Sequence, residues 1–442
     1  MLKCGFYEKE ITPPLGCCIP GYYTPRIADG VVDRLYCRAF AVSNGENTII
    51  KMSLDSISVH PTVNKGILER VVEYTGLDES NLSISAIHTH TGTPRMTPKD
   101  SGSLLYGDEE YDKWLIRVGA DCMTLAYQSM EEAVIKYGTG YTDAIGFNRV
   151  YVMKDGRLQT APEIGDPDVV RPHGPIDPEV SVIYVENKDG KPMGAVVNHA
   201  CHPDVIKGTK YSADWPGVVV KRLKEKYGSD FVGIFFNGTC GNINHVDVIN
   251  GKDYPPSSHY ITMGNIVADE AIKAIATAEP IIGEEVASSK EYFELPERAW
   301  DMKRIAWAEH IVATVKPIEG LTLALGTGYQ DQEDLLTAKG LLRAYNARQS
   351  KRMMTVQASR IGDVYFYNVP GEMWVQHGLY IKENSPSKKN VIAELSHGVG
   401  GYMPTKDAIA DTVYESKMSS YPFEAGAAEL IAENAVKLAK DL

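Results

Sequence analysis

An α/β protein with layered mixed β-sheets flanked by helices is what this sequence predicts, on three observations. Short apolar runs of strand length, such as 48–54, 231–236 and 390–395, alternate with longer amphipathic stretches of helical period, such as 63–74 and 111–136. Several of the runs end in polar segments rich in Gly or Pro, the places where an α/β sheet presents its ligands. The 442 residues are 43% hydrophobic and 23% charged, without repeats or a linker, which predicts one domain over 1–442 with a subdomain change near 280.

Taken in order, 11–16 (Ile-Thr-Pro-Pro-Leu-Gly) is extended and then turns, because its two prolines fix φ and remove donors. Strands over 38–42 and 48–54 flank an Asn44-Gly45 turn. A helix over 63–74 stops at Gly76 and leads into a strand over 83–87. A Gly/Ser loop over 99–110 precedes a long helix over 111–136, closed by Gly138. Residues 146–149 start a strand, and 154–178 read as a surface loop. Strands 180–186 and 193–198 form a hairpin, a helix capped by Ser212 or Asp214 with Pro216 in its first turn runs to about Tyr227, and a strand at 231–236 feeds a Gly-rich loop before a helix over 258–278. Strand 284–295, helices near 297–316 and 332–347, a hairpin of 354–359 with 364–369, a short helix, strand 390–395 and a terminal helix from 424 complete the chain.

Composition excludes several classes. A net charge of -13 argues against nucleic acid, which needs clustered Lys and Arg. No run approaches 18 apolar residues, so no membrane span is expected. Met1-Leu-Lys-Cys-Gly-Phe lacks an apolar secretory core, which predicts a cytoplasmic protein. The seven cysteines have no framework spacing and read as reduced thiols. A small-molecule substrate is expected, and a homo-oligomer is left open.

The chemistry concentrates at strand ends. His88 and His90 close an alternating strand, and side chains two apart on a strand share a face. Paired imidazoles are a usual beginning for a metal site. His199 and His202 are three apart, so His199 reads as a pocket or supporting residue. Asp204 and Asp214 are candidates for proton transfer or for helix caps. Asp55 at a strand end is a candidate support for His88 or His202, and His397 a candidate pocket residue. The Gly-rich loop carries Asn242, Asn244 and His245, the last a candidate general acid or base.

In fixed order along the chain, Ile11-Thr-Pro-Pro-Leu-Gly, Ser53-Leu-Asp55, His88-Thr-His90-Thr-Gly, Asn148-Arg149, His202-Pro, Ser212-Ala-Asp214, Gly241-Asn-Ile-Asn244, Pro370-Gly-Glu372 and Gly401-Tyr402 resemble the neutral/alkaline (non-lysosomal) ceramidase family in its catalytic N-terminal domain. The resemblance implies a zinc ion held by His88, His202, Glu372 and Tyr402, with Mn²⁺ or Fe²⁺ also compatible with an N/O donor set. It implies that His90 and Arg149 bind the substrate carbonyl or its oxyanion. Where the family pattern reads Gly-Asp-x-Ser-Pro-Asn, this chain has Gly241-Asn242-Ile243-Asn244-His245-Val246. Asparagine cannot accept an acyl group, so attack by metal-activated water is expected in place of a serine. The C-terminal sandwich domain of family ceramidases is not expected within 442 residues. The reading is a zinc-dependent hydrolase of an amide (N-acyl) bond in a small polar substrate. Metal-assisted cleavage of a carbohydrate on the same scaffold, or a metal-free binding protein, are the alternatives.

Overall fold

The computed structural model describes residues 1–22, 26–94, 108–251, 255–318, 330–398, 401–410 and 412–442. Among them, a nine-stranded mixed sheet runs in the order 232–237, 192–199, 179–187, 131–141, 3–10, 36–43, 48–54, 82–86, with the short strand Glu279–Pro280 also on 131–141. Most neighbours are antiparallel. The pairs 192–199 with 232–237 and 48–54 with 82–86 are parallel. A second sheet of four strands, ordered 286–296, 351–361, 364–368, 389–393, ends in another parallel pair.

The period-2 alternation of the central strands sorts their side chains between two cores. Cys37, Ala39 and Ala41 on one face, with Ile50, Met52 and Leu54 from the next strand, pack on helices α1 (Pro61–Thr75), α2 (Glu109–Gln128), α3 (Asp214–Tyr227) and α4 (Pro256–Ala276). Phe40, Val42, Ile49, Val196, Ile234 and Phe236 point the other way, onto Val286, Ile361, Phe366 and Val391 of the second sheet. Strands buried on both faces explain the unbroken apolar runs in the sequence. Beyond α5 (Met302–Thr314), α6 (Gln330–Asn346) and α7 (Val375–Asn384), the terminal helix α8 (Ala427–Lys440) covers the outer face of the second sheet with Ile431, Ala435 and Val436. Both sheets thus aim the C-terminal ends of their parallel strands at one rim.

Three expectations are corrected. The predicted helix over 111–136 ends at Gln128, and Glu131–Tyr141 is a strand, where Ala133, Ile135 and Tyr137 alternate into the inter-sheet core. Gly138 belongs to that strand, because a Cβ there would meet Ala274 O of α4 at 2.3 Å. Residues 154–178 are not wholly irregular: strands Leu158–Thr160 and Val169–Pro172 flank Val150–Met153 in a small sheet. The strand Leu82–Ala86 stops before the histidines. The predicted loop at 99–110 lies mostly outside the described residues; only Asp108, Glu109 and Glu110 are seen, at the start of α2.

Candidate metal centre

His88 reaches the rim by a turn. Its φ is 75, in the left-handed region unusual for a residue with a Cβ. The turn is held by its N–H donating to Ser56 O at 2.9 Å and its Nδ1–H to Ile57 O at 2.8 Å. His202 follows the strand Pro192–His199, and its Nδ1 faces Cys240 O at 2.7 Å and Ile243 O at 3.0 Å. Carbonyls only accept, so both imidazoles carry their proton on Nδ1 and present an Nε2 lone pair. Glu372 comes from the second half of the chain, on a two-residue strand paired in parallel with Tyr402. Gly241 lets the Gly-rich loop pass beside it, since a Cβ there would stand 2.3 Å from Glu372 O.

These three side chains converge. His88 Nε2 lies 3.2 Å from His202 Nε2 and 3.2 Å from Glu372 Oε2, and His202 Nε2 lies 3.3 Å from Glu372 Oε2. Glu372 Oε2 is nonetheless buried without an aligned hydrogen bond among the described residues. Close but misaligned acceptors aim at a shared point instead of at each other. Ligands held at ~2.0–2.1 Å in a tetrahedron stand roughly 3.3 Å apart, which matches this triangle. A proton on one nitrogen relieves only the edges it touches, whereas a divalent cation relieves all three. The donor set therefore fits a zinc-like ion.

The electrostatics agree. Burial pushes His202 down to about 3 and His90 down to about 4, so both stay neutral at neutral pH. Burial, the largest cause for each, opposes charge on His88 and Glu372, but their mutual attraction raises the His88 imidazole and brings the Glu372 carboxyl well below the usual carboxylate range.

His90 stands beside the triangle. Its ligand atom is within 4.8 Å of those of His88 and His202, and neither of its ring nitrogens has a hydrogen-bond partner among the described residues. Asp204 Oδ1 is 3.7 Å from His90 Nδ1 and accepts a hydrogen bond from Tyr22 OH. His245, lowered to about 4 chiefly by burial, is electrostatically coupled to Asp204 and His90, and its Nδ1 is buried without a partner among the described residues. Arg149 Nε donates to Glu415 Oε1 and its Nη2 to Gly241 O, both at 2.7 Å, with the guanidinium 5.4 Å from the Tyr402 ring centre. The Tyr402 phenol is raised well above its usual value, first by burial and then by Glu372.

Other predicted residues have different work. Asp55 does not support a ligating histidine through its carboxylate, which pairs with Arg38 at 2.9 and 3.0 Å; that segment supports His88 through carbonyls. Among the described residues the His199 side chain makes no hydrogen bond at the site: its Nδ1 bonds Glu179 O and its ring meets Trp215 edge-on. His397 is held well below its usual value by burial and then by the charges of Lys290 and Lys51. Asp214 caps no helix by the usual bond; its Oδ2 accepts from Val205 and Ile206 N–H at 2.9 Å each, pinning the segment after His202. Asn242 accepts from Val375 N–H at 2.9 Å and donates to Gln376, fastening the loop to α7. Asn244 Oδ1 closes a turn with Val246 N–H. Tyr22 and Glu415 escaped the sequence reading, since nothing local distinguishes them. A depression of about 380 Å³ between Glu297 and Ser350 touches none of these residues.

The N-terminal model of the neutral/alkaline non-lysosomal ceramidases matches residues 3–244, over half of the chain. Two solved structures share the fold. A crystal structure of neutral ceramidase from Pseudomonas aeruginosa is 18% identical with a TM-score of 0.75, covering 99% of this chain and 74% of that one. A ceramidase complexed with C2 is 17% identical at the same TM-score and coverage. No curated protein matches the chain.

Proposed function

Because this chain belongs to the neutral/alkaline non-lysosomal ceramidase family, we propose that it is a metal-dependent hydrolase of amide (N-acyl) bonds in a small polar substrate. The observation that carries the reading is the triangle of His88 Nε2, His202 Nε2 and Glu372 Oε2 at 3.2–3.3 Å. These residues would hold the ion, zinc being the first choice, with Tyr402 beside Glu372 as the fourth donor. Once bound, such an ion supplies Lewis acidity toward a carbonyl oxygen and toward water.

The chain supplies the rest. Arg149, held charged by buried Glu415, and His90, a neutral imidazole with an N–H to offer, stabilise the negative charge that develops on the carbonyl oxygen. Asn244 occupies the position of the family's serine and makes no covalent bond to the acyl group, so water is the attacking species. His245 is neutral at neutral pH and accepts a proton before it can give one to the departing amine; Asp204 is the acidic neighbour of the same corner.

The experiment is a hydrolysis screen of N-acyl and glycosidic model compounds, with and without chelator. The account expects N-acyl cleavage that chelator abolishes and zinc restores. Cleavage indifferent to chelator, or confined to glycosides, overturns it.

A further inference from the structure

We infer that Glu394 is a positioning residue for the candidate metal centre, acting through Cys240 to fix the proton of His202 on Nδ1. The inference rests on the proposed metal site. Glu394 follows the strand Lys389–Ala393 of the second sheet, is fully buried, and has no Lys or Arg within ion-pair distance among the described residues. Its carboxyl group instead grips one residue twice: Cys240 N–H donates to Oε2 at 3.1 Å and Cys240 S–H to Oε1 at 2.9 Å. The carbonyl of that same Cys240 accepts from His202 Nδ1 at 2.7 Å. Glu394 thus anchors the residue that supplies one of the two carbonyls facing His202 Nδ1; the other is Ile243 O at 3.0 Å, and Ile243 N–H, donating to Cys240 O at 2.9 Å, holds the same carbonyl from the other side.

Asn237, also fully buried, completes the arrangement. Its backbone oxygen accepts from Glu394 N–H at 3.1 Å. Its Nδ2 donates to Ile87 O at 3.1 Å, next to His88, and to Cys240 Sγ at 3.3 Å, while its Oδ1 accepts from Cys201 N–H at 3.4 Å, next to His202. One knot of Asn237, Cys240 and Glu394 therefore touches the backbone beside both histidines. A buried acid without a paired Lys or Arg keeps its proton, burial raising Glu394 to about 8, and its presence there needs a reason. Holding a ligand in the right tautomer is one, because outer partners of metal ligands typically govern affinity by roughly 10–100-fold.

The test uses the full chain with Glu394→Ala, Glu394→Met and Glu394→Gln. Methionine fills the space without an acceptor, so it reads the same property if the alanine variant fails to fold. Two quantities are measured: zinc affinity by competition with a chromophoric chelator, and the His202 tautomer in metal-free protein by long-range ¹⁵N–¹H correlation. The expected result is a roughly 10–100-fold loss of zinc affinity in the alanine or methionine variant, substantial recovery in the glutamine variant, and loss of the pure Nδ1–H form of His202. Wild-type affinity together with an unchanged tautomer in a folded variant lacking the acceptors overturns it. If the wild-type chain takes up no zinc, the proposed function fails on that result, and the tautomer alone decides the role of Glu394.

Discussion

Arg149 donates to Glu415 at 2.7 Å across 266 positions of sequence, and the glutamate is completely buried. A second oxygen of Glu415 accepts from Thr160 Oγ1 at 2.6 Å, so the acid is fixed at both ends. Removing one partner of a buried pair strands the other charge. Glu415→Ala is expected to lose about 3–5 kcal/mol of unfolding free energy in denaturant titration. The double variant with Arg149→Ala should recover part of that loss. A loss near that of a surface pair, below about 1 kcal/mol, would show that Arg149 is not held this way.

Asn242 fastens the Gly-rich loop to α7 through Val375 N–H and Gln376. Asn242→Ala leaves that buried N–H without its partner, at about 1–3 kcal/mol. Equilibrium unfolding measures this; wild-type stability would mean that the loop is held by other contacts.

Asp214 predicts a pH dependence of stability. Burial, the dominant cause, raises its carboxyl to about 7 against three backbone hydrogen bonds, with Asp204 nearby adding to the rise. The folded chain therefore keeps a proton that the unfolded chain releases near ~4. Stability should fall as pH rises from about 4 to about 7, by up to about 1.4 kcal/mol per unit from this group. Asp214→Asn should flatten that slope in urea titrations at stepped pH. An unchanged slope removes Asp214 as its source.

His199 sits near the site in sequence but not in chemistry. His199→Phe keeps a ring against Trp215 and loses only the bond to Glu179 O. Metal content should equal that of wild type, checked by elemental analysis; a drop would make His199 part of the centre.

Much of this was legible in the sequence, and the failures have physical causes. Strand runs buried on both faces announced the layers, and the order of short motifs announced the family. Strand alternation does not pair His88 with His90, since the strand stops at Ala86; a left-handed turn at His88 brings the rings together. Asp55 and His199 looked available because a sequence does not show that Arg38 and Glu179 already engage them. The strand at 131–141 was hidden by the apolar helix period just before it, and Glu415 and Glu394 by their distance along the chain from everything they touch.

The central claim is that His88, His202 and Glu372 share one divalent ion, and elemental analysis of purified protein after incubation with zinc and dialysis tests it most directly. The account predicts about one equivalent per chain for wild type and little retained in His202→Ala. Wild-type protein that holds no ion, or a His202→Ala variant that holds as much as wild type, would contradict it.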